Sequence, residues 1–115
     1  PSMRREALLL VEMIDAARHA MTLVAGRDGD EFREDRLRRD ALLWSFMVLG
    51  EASSQLPAEF KADHPEVNWA RPTQLRHRIV RGYWSMDMDV LITTAELDLP
   101  SFVERLEDVL REIDG

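Results

Sequence analysis

Cysteine is absent from this 115-residue chain. That removes disulfide frameworks, thiolate zinc sites and cysteine nucleophiles together. A cysteine-free chain accords with the cytoplasm. No apolar run approaches the ~20 residues that span a bilayer. The N-terminus also lacks the ordered charged, apolar and small-residue regions of a signal peptide, so a cytoplasmic protein without a membrane segment is expected. Strand-like alternation, repeats, low-complexity tracts and linkers are missing as well. Positive charge is scarce: 15 Lys and Arg stand against 22 Asp and Glu, a net charge of -7. This balance argues against broad nucleic-acid binding, which needs an extended basic face. It permits a small focused phosphate site, or a basic protein partner. Pro1 and Ser2 before Met3 read as a tag remnant, leaving one domain over residues 3–115.

What is present is helical periodicity. Leu10, Ile14, Ala17, Met21 and Val24 form one apolar stripe, and Gly26 and Gly29 close that helix. A second helix is expected from about Asp35 to Leu56, stopped by Pro57. Its middle, residues 41–49, is apolar on most sides. That marks a helix central in a bundle or shared with another subunit. Residues 58–68 suit a short helix or an irregular connection. Asn68 is placed to cap a third helix, with Pro72 in its first turn and Gly82 loosening its end. Ser85, Asp87 and Asp89 precede a short fourth helix over residues 90–97. Residues 98–101, with Pro100, restart the chain into a last helix striped by Phe102, Leu106, Val109, Leu110 and Ile113. The expected fold is all-α, a compact bundle of four or five helices.

The third helix carries the chemistry. Arg76, His77, Arg78, Ile79, Val80, Arg81, Gly82 and Tyr83 hold three arginines, a histidine and a tyrosine without a carboxylate. Arg71 precedes them. Guanidinium forks match phosphate oxygens, and the acidic remainder of the chain would repel them. Residues seven apart on a helix nearly coincide, so Arg76 and Tyr83 are expected on one face, with His77 and Arg81 stacked beside them. Cleaving RNA without a metal needs a base for the 2'-OH, a cation for the charge on phosphorus oxygens, and an acid for the leaving oxygen. Arginine supplies the cation, and histidine is the usual acid/base. From spacing alone, a solvated basic face with Tyr83 capping the core edge is the favoured reading of the segment.

The segment resembles the signature of HEPN-superfamily ribonuclease toxins, the HepT-like toxins in particular. That signature is an arginine, a polar residue, three more residues, a histidine, one residue and a tyrosine. Arg76, His77 and Tyr83 match it, and Arg81 stands where the histidine belongs. The stretch from Asp40 to Leu56, with Gly50, Glu51 and Ala52, is similar to the family's second helix. Trp69 before the motif, and Asp87, Asp89, Leu99 and Pro100 after it, extend the likeness over almost the whole chain.

The resemblance implies a HEPN-fold homodimer whose motif helices face a shared cleft. It implies a metal-independent, cofactor-free endoribonuclease acting on transfer or messenger RNA, the toxin of a type VII-like toxin–antitoxin pair. It also implies a minimal nucleotidyltransferase antitoxin that attaches AMP to Tyr83. Arg76, position 81 and Tyr83 would be catalytic, with His77, Glu51 and Arg78 in support. Arg81 leaves three explanations: an engineered inactive change, a natural variant that binds without cutting, or His77 in the histidine's place. A helical module that binds a nucleotide or a nucleotidyltransferase without catalysis is the alternative.

Glu51, on an apolar helix, either pairs with an arginine or reaches solvent at the bundle edge. His19 and His64 are read as isolated, away from acidic groups, and no metal site is implied. The acidic loop over residues 28–35 lacks a calcium-loop pattern. Arg36, Arg38 and Arg39 read as a salt-bridged face. Trp44, Phe46, Trp69 and Trp84 are core or interface candidates; Trp84 alone is placed to stack a base.

Overall fold

The computed structural model describes residues 3–114; Pro1, Ser2 and Gly115, and with them the tag-remnant reading, lie outside the described residues. Among the described residues every regular element is helical, which makes the fold all-α. The α-helices are α1 (Arg4–Val24), α2 (Gly29–Glu34), α3 (Arg36–Gln55), α4 (Ala58–Asp63), α5 (Ala70–Gly82), α6 (Met88–Thr93) and α7 (Leu99–Asp114). A 3-10 turn, Tyr83–Ser85, follows α5, and a π-helical turn, Thr94–Asp98, joins α6 to α7. None of these helices is long and apolar enough to cross a membrane.

Each long helix owes its place to its apolar stripe. Leu10, Met13, Ala17, Ala20 and Val24 of α1 are buried at three- and four-residue spacing. They let α1 lie between α3 and α7, while α3 lies between α1 and α5. The central helix expected from residues 41–49 is therefore α3, with Leu42, Phe46 and Leu49 in the core. Its start is set by Asp35, whose carboxylate accepts a hydrogen bond from the Arg38 N–H at 3.2 Å and pairs with the Arg38 side chain. Pro57 follows its end. The connection into α5 is tied to α3 from within: fully buried Ser53 donates to the Trp69 carbonyl at 2.9 Å. Trp69 in turn donates from its indole to the His64 carbonyl at 2.9 Å. Asn68 accepts from the Arg71 N–H at 3.2 Å, as a helix-opening residue should.

Four expectations need correction. Residues 98–101 do not restart the chain: Thr94 and Leu99 keep helical backbone angles, so α6, the π turn and α7 run on as one rod. Pro100 lacks an N–H, and in a regular helix its ring would strike the carbonyl of Glu96. The wider π turn before it makes room without ending the helix. Residues 28–35 are also more than a loop. Asp28 accepts from the Glu31 N–H at 2.8 Å and opens α2, which buries Phe32. Arg33 then ties α2 to Asp89 at the start of α6, at 2.6 Å. Of the core-or-interface reading of Trp44, the core half is removed: the side chain is 66% exposed.

The fourth correction concerns His64. It is not remote from carboxylates: its Nδ1 lies 3.6 Å from Glu66 and 3.8 Å from Glu112. Glu112 is distant in sequence and arrives only when α7 folds back. With Glu66 and Glu112, His64 forms a group whose ligand-type atoms lie within 4.8 Å of one another. His64 itself is buried, its ring 4.8 Å from that of Phe60.

Candidate functional site

The site begins where α3 and α5 touch. At Gly50 the two helices come too close for any side chain. A Cβ there would lie 2.6 Å from the Pro72 carbonyl oxygen and closer still to the Arg76 Cβ. A glycine within an otherwise apolar helix is the sequence signal for such an approach. This contact places Arg76 against α3, one residue from Glu51.

Glu51 and Arg76 meet at the edge of the crossing, Nη2 to Oε2 at 3.1 Å. Both readings of Glu51 therefore hold at once, since its side chain pairs with an arginine while staying 48% exposed. At that exposure the pair contributes at most about 1 kcal/mol to stability. Its consequence is orientation. The other Glu51 oxygen accepts from Gln55 Nε2 at 3.0 Å, and Gln55 Oε1 accepts from Arg5 at 3.1 Å. Arg5, Gln55, Glu51 and Arg76 thus form a relay across α1, α3 and α5. The sequence reading did not include Gln55 or Arg5. Gln55, four residues after Glu51 on one helix, was accessible to it; Arg5, 50 residues from Gln55, was not.

The Arg76 Nε is buried and has no hydrogen-bond partner among the described residues. A buried donor left unmet costs about 1–3 kcal/mol. Beside it runs an open groove of about 390 Å³ between α1, α3 and α5, lined by Leu9, Trp44, Val48, Glu51 and Arg76 among others.

Around α5, Pro72, Leu75, Ile79 and Gly82 face the core. The opposite arc is solvent-facing: His77, Arg78, Val80 and Arg81 are all exposed. At 100° per residue, Arg81 lies about 140° around the helix from Arg76. Arg78 and Arg81 instead line a separate hollow of about 270 Å³ with Gly82, Ser85 and Met86. The basic cluster is thus divided: Arg76 sits at the α3 edge, and Arg78 with Arg81 at the far side. Arg71 belongs to neither, lining a third cavity with Phe46, Leu75 and Arg105. Tyr83 begins the 3-10 turn rather than another turn of α5. The seven-residue spacing that pairs it with Arg76 applies to an unbroken helix, and here the helix ends at Gly82. The Tyr83 ring packs edge-to-face on Trp84 at 5.2 Å, and both rings are exposed.

The family model and the relatives that match this all-helical chain place it in the HEPN class. Within that class it belongs to the ribonuclease HepT-like family, whose model matches residues 13–109. A protein of Thermococcus cleftensis named a probable ribonuclease HepT is 31% identical over 78 residues, covering 68% of this chain and 71% of its own length. A candidate RNase of Methanocaldococcus jannaschii is 27% identical over 86 residues, covering 75% of this chain and 71% of itself. Another from the same organism is 24% identical over 108 residues, covering 94% and 99%. No solved structure matches the chain.

Proposed function

We propose that this chain is a HepT-like RNA-binding toxin subunit whose metal-independent endoribonuclease site is silenced by Arg81. The observation that carries this reading is the oriented Arg76. Its guanidinium is held by Glu51 at 3.1 Å while its Nε stays buried and unmatched. A phosphate oxygen would meet the part of the guanidinium that faces the groove, and the same charge would stabilise the oxyanions that develop during phosphate transfer. Position 81 is the seat of the acid/base. An arginine there keeps its proton, so it can bind phosphate but cannot accept the 2'-OH proton. Tyr83 shapes the site, and His77 and Arg78 support it.

The separation of Arg76 from Arg81 around α5 favours a shared site. Two copies that face each other through the exposed arc of Val80, His77 and Arg81 would bring the arginine edge of one beside position 81 of the other. Light scattering is expected to give twice the 13.3 kDa chain mass; a monomer at assay concentration would contradict the shared cleft. The partner class is a minimal nucleotidyltransferase antitoxin, and Tyr83, the only tyrosine of the chain, is its AMP acceptor. Mass spectrometry after co-expression should find one added AMP, lost in Tyr83→Phe.

The experiment on the chain as it stands is RNA binding and integrity in one tube, with chelator present. Single-stranded RNA should be bound with an affinity that falls with salt, and recovered uncut. Cleavage by the unaltered chain would show that His77 or another group supplies the base. A second reading, a non-catalytic module for a nucleotide or a nucleotidyltransferase, draws on Arg81 itself. It is favoured if the chain holds such a partner and no RNA.

A further inference from the structure

Six of the fourteen arginines of this acidic chain are neutralised by a carboxylate, and Arg78 and Arg81 are not among them. Arg18, Arg33, Arg36, Arg38, Arg76 and Arg111 each meet a carboxylate. Arg78 and Arg81 have no such partner among the described residues, and no carboxylate lines their hollow. Next to it, the 3-10 turn lifts Trp84 into solvent at 76% exposure, the most exposed of the three tryptophans. The turn is held in shape from inside: Ser85 donates to the Gly82 carbonyl at 3.1 Å. A side chain at Gly82 would meet that Ser85 hydroxyl at 2.9 Å and the Trp84 ring at 3.8 Å. An exposed indole kept upright by Tyr83 beside two unneutralised guanidiniums combines the two elements that bind a nucleotide, cation for phosphate and flat ring for base.

We propose that the hollow of Arg78 and Arg81, with the Trp84 ring, is a nucleotide subsite of the RNA track. There a backbone phosphate sits on the arginines and an unpaired base stacks on Trp84. The subsite rests on the RNA-binding reading above and extends it: it selects single-stranded RNA, because a base inside a duplex has no free face to offer.

The test is fluorescence anisotropy with a labelled single-stranded RNA and the same sequence as a duplex, using the full chain and its Trp84→Ala, Trp84→Phe and Arg76→Ala variants. Trp84→Ala should raise the single-strand Kd by roughly 5- to 160-fold, the range of one stacked base. Trp84→Phe should recover most of the affinity, and duplex binding should not change between them. Arg78→Ala should flatten the salt dependence by about 0.7 in log–log slope, one phosphate contact on a single strand. Thermal melting of each variant separates lost contact from lost fold. If Trp84→Ala binds single strands within twofold of the unaltered chain while Arg76→Ala binds weakly, the subsite is refuted and the RNA reading stands. If Trp84→Ala holds RNA as before but loses a protein partner, the aromatic corner is a protein interface and the subsite is refuted. If the unaltered chain binds no RNA, the RNA reading falls and the subsite with it.

Discussion

Arg76→Ala, made in a chain that carries histidine at position 81, is expected to lower RNA cleavage by about 10²–10³-fold. That is the usual effect of deleting a preorganised group that stabilises transition-state charge. The orientation of Arg76 is set before substrate arrives, through Glu51 at 3.1 Å and the relay behind it. No side-chain ordering is then needed at the moment of reaction. Arg76→Lys should recover little, because an ammonium cannot hold Glu51 and a phosphate in one fixed plane. The fold should survive the change. Glu51 is about half exposed, so water takes over its lost partner. Steady-state kcat/KM beside a melting curve reads both. An Arg76→Ala variant within threefold of its parent would remove Arg76 from the reaction.

Gly50→Val should be the most destabilising single change in the site region. Its Cβ would collide with the Pro72 carbonyl and with the root of Arg76, and neither is the movable tip of a side chain. Relief requires α5 to move away from α3, which opens the core beneath Leu75 and Ile79 and parts Arg76 from Glu51. Overpacking of this kind costs about 1–3 kcal/mol, or more where backbone must shift. For a domain of this size the melting temperature should fall by roughly 10 °C. Gly50→Ala should be milder, because alanine regains about 1 kcal/mol of helix propensity against the same contact. Calorimetry of the two variants checks the order; a Gly50→Val protein that melts within 2 °C of the unaltered chain would contradict the close crossing.

The parts of this molecule legible in its sequence are those whose causes are local. Asp35 before an apolar run and Pro57 after it mark α3 from the sequence alone, and Asn68 with Pro72 marks the start of α5. The cost of leaving a carboxylate alone on an apolar helix makes an arginine partner for Glu51 one of two readings, the other being solvent at the bundle edge. What escaped depends on arrangement. Pro100 reads as a break, yet a π turn absorbs it because α6 and α7 are packed as one rod. His64 reads as isolated because Glu112 reaches it only through the path of α7. The arginines read as one patch because spacing reports angle around a helix and not which edge is covered. Helix spacing alone sets Arg81 about 140° from Arg76, and the packing of α3 on α5 decides that Arg76 takes the covered edge.

On the proposed function, one side chain, at position 81, separates this chain from a working metal-independent ribonuclease. Cleavage of a single-stranded RNA by the unaltered chain and by Arg81→His, both in chelator, addresses it directly. Positioned acid/base catalysis contributes about 10²–10⁴-fold, so the histidine variant should cut that much faster while the unaltered chain leaves the RNA intact. Equal cleavage by both, or none by either across a range of RNAs, would contradict the account.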